Sequence, residues 1–207
     1  MSESPWPTIH AERSALLDDL TRLSPEQWRT RSLCNDWDVR QAFGHIVATA
    51  RKTPMSFIGG FTKSGFSFQK MVRADVERET AGTVADQLDA FRGMVSSTSA
   101  PPGPVDSWLG ETIVHAEDIR RPLGISRTYP IAAVTRLASF YSGSDPLIGS
   151  KTRIAGLTLR ATDAEWTVGS GPLVEGPALS LLLAMTGRKS ALAELTGPGV
   201  AALSTRP

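Results

Sequence analysis

The sequence is poor in the residues that build most metal and redox sites: it has one cysteine, Cys34, and three histidines, His10, His45 and His115. A lone cysteine excludes an internal disulfide, and no charged-then-apolar leader precedes the first helix-like segment, so a reducing cytoplasm is the expected setting. Charge of one sign is also lacking, since 22 basic residues face 21 acidic ones and leave a formal +1. No general field then draws in nucleic acid or an anionic membrane, and the expected partner is a small molecule or another protein. The most apolar stretch, Ala178 to Met185, is far shorter than the roughly 20 residues that span a bilayer, and reads as a buried helix. What the chain does have is length. Its 207 residues can bury a core without staples, as one large domain or two small ones.

Apolar residues recur at helical spacing from Ile9 to Leu23, where Ser24-Pro25 ends the pattern. An irregular connection from Trp28 to Trp37 follows. Asp38, with Gln41 three residues on, resembles a capping box and starts a second helix with the stripe Val39, Ala42, Phe43, Ile46, Val47. Gly59-Gly60 and Gly65 are expected to break the chain, Phe66 to Glu79 to form a short amphipathic segment, and Val84 to Val95 a third helix. After the Ser/Pro-rich loop Ser96 to Pro104, Val105 to Leu123 has the pattern of a fourth helix closed by Pro122 and Gly124. Four helices imply a bundle over residues 1–128. Residues 129–207 read as a small α+β domain. They hold a helix from Ile131 to Tyr141, strands around Leu157–Ala161 and Trp166–Val168, the apolar helix after Gly176-Pro177, and a last short helix from Ala191 to Leu195.

Glu111 and His115 lie four residues apart on the fourth helix, roughly 40° apart around its axis and one turn apart along it, so both can reach one ion. Trp108 and Ile119 mark the neighbouring apolar stripe and put the pair at the rim of the buried face. An exposed i,i+4 pair has the same spacing. His45 adds weight because it sits on another helix of the same bundle, where a neighbour should pass, although a core histidine with a satisfied ring also fits there. Two histidines and one carboxylate form a common catalytic zinc environment with an open fourth position, and the set also suits nickel or iron(II). Asp118, one turn beyond His115, is placed either to orient that imidazole or to face solvent. Arg120 and Arg121 are expected on the surface. Cys34 precedes a helix N-terminus, which can activate a thiol, but a small buried cysteine fits the position as well.

The segments from Ser32 to Val47 and from Gly110 to Ile119 resemble the mycothiol-dependent maleylpyruvate isomerase family, within the DinB-like superfamily. The stretch from Leu157 to Arg188, with Val174-Glu-Gly-Pro177, is similar to that family's smaller sterol-carrier-like domain. The resemblance implies a four-helix bundle that binds zinc through a histidine of the second helix and a Glu-x-x-x-His pair of a later one, positions that His45, Glu111 and His115 match. It also implies mycothiol as the thiol cosubstrate and Arg188 as a catalytic residue that holds an anionic substrate, where a plain helix-end cation is the alternative. A thiol entering the open position would lose its proton there and attack a small electrophile, giving isomerisation or transfer. Two alternatives stay open: a metal-activated hydrolase of a small ester or amide with Glu117 or Asp118 as base, and a non-catalytic module whose metal is structural or lost.

Overall fold

A computed structural model describes residues 4–34, 37–146 and 148–206. It is mostly helical with one three-stranded sheet, and it divides into two compact units, Met1–Arg127 and Thr128–Pro207. No helix among the described residues is long and apolar enough to cross a membrane.

The first unit is built from α1 (Trp6–Leu20), α2 (Val39–Arg51), α3 (Pro54–Lys63), α4 (Phe68–Glu79), α5 (Val84–Arg92) and α6 (Val105–Arg120). Helix α2 packs against α4, α5 and α6, and α6 against α1, so the α2–α6 seam runs through the interior. Local chemistry sets where α2 begins. Asp38 accepts from the Gln41 amide at 2.8 Å, and Gln41 Oε1 accepts from the Asp38 amide at 3.1 Å, so two of the helix's orphan donors are satisfied reciprocally. The seam is sealed by Leu16, Leu20, Phe43, Phe91, Ala116 and Ile119, with the Phe43 ring 5.2 Å from that of Phe91 and 5.8 Å from that of Trp28.

The expected break at Gly59-Gly60 does not occur, for α3 runs through both glycines. Pro54 at the first helical position and the Thr53/Ser56 capping pair start that helix, and two interior glycines cost only about 1 kcal/mol each. The break falls at Gly65 and Phe66, both at positive φ (63° and 60°). The fourth expected helix is also shorter than its pattern: α6 ends at Arg120 and tightens into a 3-10 turn, Arg121–Leu123, which left-handed Gly124 closes.

In the second unit, α7 (Ile131–Ser142) and α8 (Ser150–Ile154) precede β1 (Thr158–Ala161), β2 (Thr167–Gly169) and β3 (Leu173–Gly176), followed by α9 (Ala178–Met185) and α10 (Val200–Ser204). Strand β1 is central, antiparallel to β2 and parallel to β3, with Leu159 opposite Val168 on one side and Val174 on the other. The chain crosses from β2 to β3 over the start of β1, and two glycines permit it. A Cβ on Gly169 would meet the Leu157 carbonyl at 2.1 Å, and one on Gly171 the Gly156 carbonyl at 2.2 Å. Seven of the eight α9 residues are buried, which explains an apolar run without amphipathic period. The last short helix expected, Ala191 to Leu195, is a 3-10 segment, Lys189–Glu194.

Candidate metal centre

The packing of α2 on α6 brings His45 to the Glu111/His115 pair. Glu111 Oε2 lies 3.2 Å from His45 Nε2 and 3.5 Å from His115 Nε2, and the imidazole rings meet edge to face at 4.8 Å. One donor atom from each residue lies within 4.8 Å of the other two. Two atoms bonded to one tetrahedral zinc at about 2.05 Å stand roughly 3.3 Å apart, so the two contacts to Glu111 already have the separation that such an ion requires. Neither contact is a hydrogen bond of acceptable geometry, and Glu111 Oε2 is buried with no hydrogen-bond partner. A buried carboxylate oxygen without a donor, faced by two imidazole nitrogens, is a donor set that fits a divalent cation.

Asp118 fixes the orientation of one imidazole. It is fully buried, and its Oδ2 lies 2.8 Å from His115 Nδ1. A carboxylate only accepts, so Nδ1 carries the proton, and in the neutral imidazole the Nε2 lone pair faces Glu111. The loop ahead of α2 is pinned to the same turn of α6 by the Leu33 amide, which donates to the Asp118 carbonyl at 3.0 Å. That contact brings buried Cys34 beside His115 and Asp118, where its sulfur lies within 4.8 Å of a donor atom of each. Trp37 walls the other side, its ring 5.4 Å from that of His45. Asn35 and Asp36, in the same loop, lie outside the described residues.

Desolvation tends to raise the Glu111 carboxyl, but attraction to His115 and then His45 overrides it and holds the group well below the usual carboxylate range. For His115, burial pulls the imidazole down, while the charge of Glu111 and the Asp118 bond raise it well above its ordinary value.

The remaining sequence candidates fall elsewhere. Arg188 belongs to the second unit, just past α9, and its Nη1 donates to the Thr186 carbonyl at 2.8 Å. His10 faces the Ser97 carbonyl at 3.3 Å and is not part of the cluster. Arg120, expected on the surface, is wholly buried and donates to Asp19 Oδ2 at 2.8 Å, because α6 packs on α1 at that turn. Glu117 is also buried, held by Arg121 at 3.0 Å. Sequence reasoning missed Arg13, a buried cation on α1. Its signal was there, because position 13 falls on the stripe between Ile9 and Leu16.

Fold and cluster together define a helical unit with a two-histidine, one-carboxylate donor set between two of its helices. Residues 9–106, just under half of the chain, match the mycothiol maleylpyruvate isomerase N-terminal domain. The matched segment contains His45 and stops before Glu111. A crystal structure of a histidine-to-alanine mutant of mycothiol-dependent maleylpyruvate isomerase superposes with a TM-score of 0.60 at 13% identity, covering 93% of this chain and 91% of that one. A second crystal structure of mycothiol-dependent maleylpyruvate isomerase gives 0.55 at 11% identity over the same shares. At these identities the likeness establishes the fold. No curated protein matches the chain.

Proposed function

We propose that the chain is a metal-dependent enzyme that uses a low-molecular-weight thiol, mycothiol, in isomerisation of a small electrophile or transfer onto it. His45, Glu111 and His115 hold the divalent ion, zinc in the first place, with nickel and iron(II) as metals the same donor set suits. The observation that carries this reading is the buried Glu111 Oε2, unpartnered and faced by two imidazole nitrogens, in a chain whose residues 9–106 match that family's N-terminal domain. In the same reading the first unit (residues 1–128 by sequence) is a DinB-like four-helix bundle and the second (129–207) a sterol-carrier-like domain. Arg188 is the candidate for holding an anionic group of the substrate, and the single, free and buried Cys34 suits a reducing cytoplasm.

When bound, the ion supplies the Lewis acidity that lets a thiol ionise at neutral pH. The protein's own residues prepare the place. Asp118 keeps the His115 tautomer, and the Trp37 ring limits water on the His45 side. Sulfur adds to one carbon of an activated double bond, the former double bond rotates as a single bond, and the same carbon–sulfur bond breaks to expel the thiol and restore the double bond in the other geometry. If the adduct is kept instead, the outcome is transfer. Hydrolysis is less well served, because Glu117 is engaged by Arg121 and Asp118 by His115.

Cobalt-substituted protein tests the thiol requirement. Adding mycothiol is expected to produce sulfur-to-cobalt charge-transfer absorption and to release a proton. No spectral or calorimetric change at about millimolar thiol in fully metallated protein would overturn the thiol-dependent reading.

A further inference from the structure

Helix α3 reverses the usual arrangement of a surface helix. None of its ten residues is buried, although Met55, Phe57, Ile58 and Phe61 are large and apolar. Gly60 is the side it sets against α4, where an added Cβ would lie 3.4 Å from the Met71 side chain. At 100° per residue, Ile58 and Met55 stand roughly 160° and 140° around the axis from Gly60, so they point away from the protein. Their exposure agrees, at 54% for Ile58 and 78% for Met55. The turn after the helix continues this surface. Phe66 is 70% exposed and sits at φ 60°, a left-handed conformation that no other non-glycine among the described residues adopts. Its ring meets Phe61 edge to face at 5.6 Å, and Phe61 stacks on Phe57 at 6.0 Å, which joins helix and turn into one aromatic patch. Three of the four large apolar residues exposed among the described residues belong to it.

The stretch of chain that carries the patch is basic. Between Asp38 and Asp75 there is no acidic residue, while Arg40, Arg51, Lys52, Lys63, Lys70 and Arg73 all fall there. Three of these cations are engaged: Arg40 donates to Gln87 Oε1 at 3.0 Å, Arg51 pairs with Glu79 at 3.4 Å, and Lys52 pairs with Asp75. Lys63, Lys70 and Arg73 are exposed and form no ion pair among the described residues. Lys63 ends α3, and Lys70 adjoins Met71, where α3 meets α4, so both border the patch. The formal +1 of the whole chain averages this local excess away.

Outward apolar side chains beside unpaired cations are the pattern of a helix that lies in the interface of an anionic bilayer. A symmetric contact between two copies would instead set Lys63 and Lys70 of one against those of the other, and such like-charge contacts are unfavourable. We infer that α3 and the turn at Gly65 and Phe66 dock on the surface of an anionic phospholipid bilayer. Met55, Ile58 and Phe66 enter the acyl boundary, and Lys63, Lys70 and Arg73 meet the lipid phosphates. The docking requires neither metal nor thiol, so it stands apart from the functional reading above.

Sedimentation of the full chain with unilamellar vesicles tests this. The protein should pellet with phosphatidylcholine vesicles that carry about 30 mol% phosphatidylglycerol and stay in solution with pure phosphatidylcholine, and about 0.5 M sodium chloride should release most of it. Chelator-treated protein should bind alike. Ile58→Asp, on the side away from α4, should lower the partition coefficient at least about tenfold, and Lys63→Glu at least about fivefold. Phe66→Gly removes the ring and suits the left-handed backbone, so it should bind at least about tenfold more weakly while melting close to the parent. The proposal is overturned if the parent stays in solution with anionic vesicles up to about 1 mM lipid, if pure phosphatidylcholine binds it as well, or if folded Ile58→Asp and Phe66→Gly bind like the parent. Dimerisation in sedimentation velocity that Phe66→Gly abolishes, without vesicle binding, would assign the face to a second copy and also overturn it. Should one variant fail to fold, the other decides, and the composition and salt series on the parent decides if both fail.

Discussion

His115→Ala is expected to reduce zinc affinity by more than about a hundredfold, the largest loss among single substitutions at the cluster. The imidazole serves twice: Nε2 faces Glu111 Oε2 at 3.5 Å, and Nδ1 donates to the fully buried Asp118 at 2.8 Å. Its removal therefore takes away a donor and also costs a charge-assisted hydrogen bond, on the order of 1.5–3 kcal/mol of stability. His45→Ala and Glu111→Ala should weaken metal binding strongly with less effect on melting, and Asp118→Ala should weaken it less because the imidazole remains. His10→Ala is the control and should bind as the parent does, since its ring faces Ser97 outside the cluster. Titration calorimetry with zinc measures the whole series, and parental affinity in all three ligand variants would exclude the constellation. The pH response has a defined sign. Zinc competes with the proton that the raised His115 pKa favours, so uptake should weaken as pH falls.

Phe43→Ala should destabilise the first unit by about 3–5 kcal/mol, read as a lower melting temperature or denaturant midpoint. The ring is fully buried at the α2–α5 contact, edge-on to Phe91 and tilted on Trp28, so alanine leaves a cavity that fixed helices can only partly fill. Position 43 lies two residues before His45, about 160° away around the helix axis, so its ring and the imidazole leave opposite sides of α2. At temperatures where the variant is folded, its zinc affinity should stay within about threefold of the parent. A parental melting temperature would mean that α2 is not packed as described. The contrast with Glu111→Ala, which should lose metal and keep its fold, separates damage to the core from damage to the site.

Local chemistry made parts of this molecule legible in advance. The Asp38/Gln41 capping box is written in adjacent residues and needs no tertiary information, and the Glu111/His115 spacing places two side chains on one side of any helix that contains it. What was illegible depends on which helices meet. Arg120 reads as a surface charge until α1 supplies Asp19, 101 residues away in sequence. Cys34 reads as a loop residue until the Leu33 amide finds the Asp118 carbonyl and sets the thiol beside His115. Strand β3, four residues between Pro172 and Pro177, carries too short an alternation to announce itself and exists through its pairing with β1. Helix α3 passes through Gly59-Gly60 because its capped start outweighs a modest propensity cost.

The central claim is that His45, Glu111 and His115 together hold one divalent ion, and metal analysis of the purified chain tests it most directly. Protein expressed without added metal and gel-filtered should carry about one zinc per chain, or take up that amount after chelator treatment, and Glu111→Gln should carry almost none while melting close to the parent. Metal-free parent protein that also refuses zinc, nickel and iron(II) would contradict the account, because the convergence of two imidazoles on a buried, unpartnered carboxylate oxygen would then serve no ion.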